Sequence, residues 1–335
     1  ETKKELGELL HYDEESFNHL DEIKNALLRS AINDAKKNTY LNISQSFWAD
    51  NSSTIHEDYL KTLQDYYFAE AYQGDLPNMY NEVADWINDK TKHYLNVKGE
   101  DFQEMLASAI YALINTVYLK SAWVNEFKEE LNYQGNFANL DATSTKVTYM
   151  ETKLEDSYYF TGDGYVISSL PFEHDLEFRM LLPNADTDYA KVLDDRTALD
   201  NLLALPLDKV GIPENASGIT QKGTVEYTIP QFKVRSIFNL VDMFIDRGIE
   251  TPFKPGCANF PKFDGGYISK AQHEAGFETN NKGAEGAAYT IIVVSKAGIP
   301  EEPVRFKLDR PFAYAVTTKE GIPIFMGKVT SLPNA

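Results

Sequence analysis

The chain is short of cysteine, of positive charge and of long apolar runs, and each shortage excludes something. A single cysteine, Cys257, among 335 residues rules out an internal disulfide, and such a lone thiol is expected to be a small buried apolar residue. Lys and Arg total 32 against 51 Asp and Glu, a formal net charge of −19. Phosphate-rich partners would be repelled by that excess, so neither nucleic acid nor an anionic membrane is expected as a partner. No run of 18 or more apolar residues occurs, which argues against a membrane-spanning helix.

Familiar catalytic patterns are missing as well. The histidines are His11, His19, His56, His93, His174 and His273, and none lies three to five residues from another, as paired zinc ligands would. There is no GxSxG elbow, no P-loop and no GxGxxG. The clusters Asp13-Glu14-Glu15 and Glu301-Glu302 read as solvated faces or helix starts. No enzyme, metal or cofactor is expected. Three Asn-x-Ser sequons stand at Asn42, Asn51 and Asn215, a number that chance supplies in a chain this long.

What is present is a globular composition, 43% hydrophobic and 13% aromatic, with helical and strand patterns that follow one another. Apolar residues recur at three- and four-residue spacing over Ser16–Ser30, His56–Phe68 and Met79–Leu95, with a short β-like piece at Thr39–Phe47 between the first two. Ile110–Trp123 reads as a central strand buried on both faces. Strands are expected from Thr145 to Leu182, broken by the turn Thr161-Gly162-Asp163-Gly164. A helical pair follows at Asp188–Leu193 and Arg196–Leu205. Thr224–Val234 alternates like a half-buried strand, and Leu240–Arg247 reads as a helix ended by Gly248. Tyr267–Thr279 and three terminal strands, Val304–Leu308, Phe312–Thr317 and Ile324–Thr330, complete the pattern, with a hairpin at Lys319-Glu320-Gly321. No linker or repeat divides the chain, so one mixed α+β domain over 1–335 is expected.

Two features stand apart from that plan. Asn115 and His273 are polar residues inside patterns that read as buried strand. Buried polar groups need partners, so the two are expected to bond across neighbouring strands, either as a satisfied core pair or as a latch where a sheet can open. The other is NNKGAEGAAYTIIVVSKAGIPEEP, Asn281 to Pro303. Small residues lead into the β-branched run Thr290-Ile291-Ile292-Val293-Val294, a strong strand former between flexible flanks. An exposed segment of that kind is an aggregation hazard unless it has a sheet to enter.

At this point the sequence resembles the serpins, over essentially its whole length. Ile114-Asn115-Thr116-Val117-Tyr118-Leu119-Lys120-Ser121-Ala122-Trp123 looks like the third strand of that family's large central sheet, from its shutter asparagine to its breach tryptophan. Ile268-Ser269-Lys270-Ala271-Gln272-His273-Glu274-Ala275 resembles its fifth strand with the shutter histidine. Phe306-Lys307-Leu308-Asp309-Arg310-Pro311-Phe312 and Ile324-Phe325-Met326-Gly327-Lys328-Val329 are similar to its post-loop motif and C-terminal strand.

The resemblance implies the serpin fold, a large mixed sheet with two smaller sheets and surrounding helices, and makes 281–303 the hinge and reactive-centre loop. The hinge would be Gly283, Ala284, Glu285, Gly286, Ala287 and Ala288. With Gly283 as the family's hinge glycine, the even positions Ala284, Gly286, Ala288, Thr290, Ile292 and Val294 are small or apolar, as core-facing residues of an inserted strand must be. The implied activity is suicide inhibition of a serine protease through a covalent acyl complex, by a monomer acting outside the cell. Spacing from Gly283 puts the scissile bond at Ala297-Gly298, suiting an elastase-like protease. Lys296-Ala297, one residue earlier, would suit a trypsin-like one. A non-inhibitory carrier or chaperone is the alternative, and a hydrolase with an unrecognised site is disfavoured by the missing motifs. The family's helices A to C, strand 6B and shutter serine have no counterpart before Glu1, and the charged opening ETKKELGELL is not a signal peptide. Asn281 and Gln231 occupy positions where the family commonly has glutamate and lysine, so an amide–amide pair is expected in place of an ion pair.

Overall fold

The computed structural model describes residues 4, 5, 7, 8, 40–173, 175–214, 216–258, 267, 268, 271–284, 302–318 and 321–333. Strands β1 (Tyr40–Asp50), β2 (Ala69–Gly74) and β3 (Tyr111–Ala122) alternate with helices α1 (Glu57–Tyr67), α2 (Tyr80–Lys90) and α3 (Glu100–Leu106). Then come β4 (Tyr133–Ala138), β5 (Ser144–Gly162), β6 (Tyr165–Phe172) and β7 (Leu176–Pro183). Helices α4 (Tyr189–Asp194) and α5 (Arg196–Ala204) precede β8 (Gly218–Pro230), β9 (Phe232–Asn239) and α6 (Leu240–Ile245). The last strands are β10 (Gln272–Thr279), β11 (Gly283–Ala284), β12 (Val304–Lys307), β13 (Phe312–Thr318) and β14 (Pro323–Val329). The chain forms two compact units, Glu1–Tyr118 with Arg235–Gly276, and Leu119–Val234 with Phe277–Ala335.

In the first unit β3, β1 and β2 are successive neighbours, and β2 runs parallel to β1 in the register Gln45↔Ala69 to Asp50↔Gly74. One apolar stripe of α2, with Val83, Ala84, Trp86 and Ile87, packs with Phe102 and Leu106 of α3 and with Ala109 and Ala112. The helical spacing of those residues puts them on one face. The helix stops at Lys90, five residues short of the expected Leu95. The Asn88 side chain donates to Val97 O (2.8 Å) and accepts from Val97 N (2.9 Å), pulling the chain back over the helix end. Lys92, His93 and Asn96 are all left-handed, with φ of 52°, 59° and 49°, which no helix can continue through. Likewise α1 ends where Phe68 turns left-handed, φ 51°, and donates its N–H to Leu63 O.

Two expectations are corrected here. Strand β3 is buried on both faces only towards its C-terminal end. Ala112, Thr116 and Tyr118 are buried, but Leu113 is 55% exposed and Asn115 is exposed. Alternate side chains leave a strand in opposite directions; the face towards the α2–α3 cluster is covered, whereas the opposite face is open at Leu113 and Asn115 and closes only at Leu119 and Ser121, which are buried. Leu113 and Asn115 open instead into a cavity of about 330 Å³ walled by Phe47, Leu63, Phe244 and Phe253. Cys257 is exposed, because it sits in the turn that follows Thr251–Phe253 rather than on an apolar face.

The second unit is built on one eight-stranded sheet, in the order β12-β8-β5-β6-β7-β13-β14, with β4 added on β5. The turn expected at Asp163-Gly164 closes the β5–β6 hairpin between Gly162 and Tyr165, with Gly164 at φ +81°. Helices α4 and α5 begin at Asp188 and Asp195, whose carboxylates accept from Lys191 N and Ala198 N. Such caps satisfy donors that the first turn leaves open. Their apolar faces, including Leu193, Ala198 and Leu202, pack with Phe160, Ile167, Leu181, Ala313 and Ala315.

Arg179, only 5% exposed, holds the far end of α5. Its guanidinium donates to Leu202 O (3.1 Å), Leu203 O (2.9 Å) and Leu205 O (2.5 Å), while Nε reaches Glu177 at 3.1 Å. Those carbonyls have no helical partner of their own. Arg179→Ala is therefore expected to lower unfolding free energy by about 3 kcal/mol, read from urea denaturation. A loss under 1 kcal/mol would mean water replaces the guanidinium freely.

The helix expected at Ser16–Ser30, Asn215, and the loop tip Lys319-Glu320 lie outside the described residues. Asn42 is half-buried in β1 and donates to Lys90 O at 2.8 Å, whereas Asn51 is exposed. Among the described residues no helix is long and apolar enough to cross a membrane, and no group of three or more His, Cys, Asp and Glu could hold a metal ion.

Candidate functional site

The end of β3 meets the start of the 281–303 stretch in the second unit. After Thr279 the chain makes a two-residue turn. Asn280 N donates to Gly283 O (3.0 Å) and Gly283 N to Asn280 O (3.2 Å), and the Asn280 side chain accepts from Lys282 N at 2.9 Å. Asparagine suits this position because its short side chain reaches the backbone two residues on. The chain then re-enters a sheet. Strand β11 pairs antiparallel with β3, Gly283 opposite Ala122 and Ala284 opposite Ser121.

Glycine is required at the first of these positions. Gly283 has φ +141°, and a Cβ there would lie 2.1 Å from Ser121 O and 2.7 Å from the Ala122 Cα. Both obstacles are backbone, so no rotamer change relieves them. The next residue, Ala284, is 2% exposed, and a small side chain is what that space accepts.

Trp123 is the seat of the turn. It is 1% exposed, and its indole N–H donates to Asn280 O at 2.9 Å while its backbone N–H donates to Lys282 O at 3.0 Å. Phe172 stacks on the indole with ring centroids 4.3 Å apart, and Phe127 and Phe178 meet it edge-on at 5.5 and 5.6 Å. A buried indole held by one stacked ring, two edge contacts and a bonded N–H has one orientation.

Asn281, 6% exposed, is bonded at both polar atoms of its side chain and at its backbone carbonyl. Its Oδ1 accepts from Gln231 Nε2 (2.6 Å) and Asn132 Nδ2 (3.0 Å). Its Nδ2 donates to Phe127 O (3.1 Å) and to Asn132 Oδ1 (2.9 Å), and its backbone carbonyl accepts from Phe127 N at 3.0 Å. A carboxamide has two donor hydrogens and two acceptor lone pairs, so the group is saturated. The Gln231 and Asn281 amides thus do meet, but within a three-amide cluster whose third member, Asn132, sequence reasoning missed. Nothing local marks it, since it lies between elements and finds a partner 149 positions away. None of the three amides carries charge.

The other anticipated residues lie elsewhere. The Asn115 amide nitrogen donates to Ser44 O of β1 at 3.3 Å instead of to His273. His273 is half-buried along the Phe238 ring, centroids 6.2 Å apart. Both line the 330 Å³ cavity of the first unit. Glu285, Gly286, Ala287, Ala288, Lys296, Ala297 and Gly298 are outside the described residues.

Comparison with known proteins places this geometry in context. A family model described as "Serpin (serine protease inhibitor)" matches residues 1–332. Serpin-Z10 of Arabidopsis thaliana is 29% identical over 313 residues, covering 88% of this chain and 77% of that protein. Antithrombin-III of Ovis aries is 25% identical over 346 residues, covering 98% and 71%. Among solved structures, human thyroxine-binding globulin superposes with a TM-score of 0.80 at 20% identity, covering 99% of this chain and 86% of that one. A likeness at that identity concerns the fold alone.

Proposed function

The chain belongs to the serpin family, and we propose that it is a suicide inhibitor of serine proteases, elastase-like enzymes first and trypsin-like second. The observation that carries this reading is the return of Gly283 and Ala284 onto β3, with Ala284 buried opposite Ser121. A strand that has begun to pair continues in the same register unless something stops it. Continued along β3, that register sets Glu285 opposite Lys120, Thr290 opposite Asn115 and Ile292 opposite Leu113. Opposite charges then face each other across the strands, and the β-branched run covers the exposed face of β3.

The chemistry follows from where the loop is cut. The protease serine hydroxyl adds to the carbonyl of Ala297, or of Lys296. The amine of the next residue leaves with the proton that the protease histidine took from the serine. An ester now joins the arm to the protease, and the arm is free to extend β11. At 3.3 Å per residue, about 14 inserted residues move the tethered protease on the order of 45 Å. Trapping succeeds if insertion outruns hydrolysis of the ester. The released energy is that of a strand held out of its sheet in the uncleaved protein. The reading includes a monomer that acts outside the cell.

Mixing the protein with an elastase-like protease, and separately with trypsin, tests the reading by denaturing gel and intact mass. A denaturant-stable complex is expected, with a released peptide that begins at Gly298, or at Ala297 if the bond after Lys296 is cut. Cleavage without complex would reject inhibition and favour a carrier.

A further inference from the structure

We infer that Asn132, far from the loop in sequence, is a positioning residue for loop insertion. It holds the return turn so that the incoming strand enters β3 in one register. The inference rests on the inhibitory reading and concerns a residue which that reading does not use.

Asn132 and Asn281 exchange two hydrogen bonds, Nδ2 to Oδ1 at 3.0 Å one way and 2.9 Å the other. Two parallel bonds between planar amides fix both distance and orientation, which a single bond does not. Asn281 is the first residue inside the turn, two positions before Gly283 pairs with Ala122. The turn's bonds to Trp123 go to the backbone carbonyls of Asn280 and Lys282, and carbonyls recur at every residue. Those two bonds by themselves would accept a chain shifted by one residue, and the first obstacle to such a shift is the place of Gly283, where any side chain meets the backbone of Ser121 and Ala122. A side-chain amide occurs at Asn280 and Asn281 but not at Lys282 or Gly283, so the Asn132 pair adds to Gly283 in rejecting a chain shifted towards Lys282, whereas a chain set back by one residue would offer the Asn280 amide and is rejected by Gly283 alone.

The consequence of a slip is severe. A one-residue shift sends every side chain to the opposite face. Glu285, Ala287 and Tyr289 would then point where Ala284, Gly286 and Ala288 belong, and a charge would enter the space that now holds Ala284. Slipped strands must withdraw before they insert, and the acyl ester is hydrolysed meanwhile. Loss of Asn132 should therefore change the fate of the acyl complex, not the rate at which the loop is first cut.

Two variants of the full chain test this, with the protease that the wild type traps. For Asn132→Ala we expect the moles of inhibitor consumed per mole of protease trapped to rise by roughly fivefold or more, the size of effect that losing about one buried hydrogen-bond pair produces. The initial rate of loop cleavage should stay at the wild-type value. Asn132→Asp adds a signature that ordinary destabilisation lacks. As a carboxylate it only accepts, and Asn281 Oδ1 loses a donor. As a carboxylic acid it donates through O–H and accepts through C=O, as the amide does. Trapping by Asn132→Asp should therefore recover towards wild type as pH falls through the carboxyl pKa, while Asn132→Ala shows no such recovery. Wild-type partitioning by both variants at neutral pH would overturn the inference while leaving inhibition intact. Failure of the wild type itself to form complex would reject the inhibitory reading, and this inference with it. Should Asn132→Ala not fold, the pH profile of Asn132→Asp decides alone, and a flat profile overturns the proposal.

Discussion

Ile292→Glu is expected to turn the protein from a trap into a plain substrate. Once the arm is inserted as proposed, in the register begun by Gly283 and Ala284, position 292 would fall opposite Leu113, whose side chain is 55% exposed and lines an apolar cavity of about 330 Å³. Isoleucine there would cover Leu113 and fill part of the cavity, a gain of about 2 kcal/mol for one buried aliphatic side chain. The lining of that cavity holds no Lys or Arg to pair with a carboxylate placed there, and an unpaired buried charge costs several kcal/mol. The arm would stall as it reached Leu113, near the far end of β3, and hydrolysis would release active protease. Full cleavage with no denaturant-stable complex is the expected gel, and the cleaved variant should lack the rise in Tm expected of the cleaved wild type. Ile292→Val, which keeps the shape, should trap normally. A stable complex from Ile292→Glu at wild-type stoichiometry would mean that position 292 does not face the cavity and that the register is wrong.

Gly283→Val should have the second large effect, and it needs no protease to measure. Its Cβ would meet Ser121 O at 2.1 Å, in a conformation of φ +141° that side chains rarely adopt. The turn cannot accommodate this by rotating a neighbour, because the obstacles are backbone. Either β11 leaves β3, exposing Ala284, or the end of β3 moves away from Trp123. Both routes are expected to lower stability by about 3 kcal/mol or more. Hydrogen exchange should show the amides of Gly283 and Ala284 losing protection. Ala284→Gly, which leaves the turn glycine alone, should cost about 1 kcal/mol or less. A Gly283→Val protein with wild-type stability would require β11 to be dispensable in the uncleaved state.

Elements whose determinants lie within a few residues could be read from the sequence. The α4–α5 pair is set by Asp188 and Asp195 at the first turns and by an apolar stripe. The β5–β6 hairpin is set by Asp163-Gly164, where glycine supplies the left-handed residue. Strand β3 was legible as an element, but its exposure was not, since alternation says which side chains share a face and not what lies against that face. Strand β2 escaped notice because a single left-handed residue, Phe68, separates it from α1. Helix α3 escaped because it buries only Phe102 and Leu106, too few to show a period. Strand β4 has a single buried residue, Phe137, in the pattern of its six.

The hinge divides along the same line. Gly283, the small residues after it and the alternation of the β-branched run are properties of the chain itself, and they specify a segment able to become a strand. The family match over 1–332 follows from motifs spread along the sequence in order. Tertiary structure alone decided that Asn281 bonds to Asn132 and Gln231 together, that Trp123 seats the turn through Asn280 and Lys282, and that Asn115 faces a cavity and β1. Each of these joins residues distant in the chain. A saturated amide cluster exists only when three backbones bring their side chains within about 3 Å of one another, and no local preference encodes that approach.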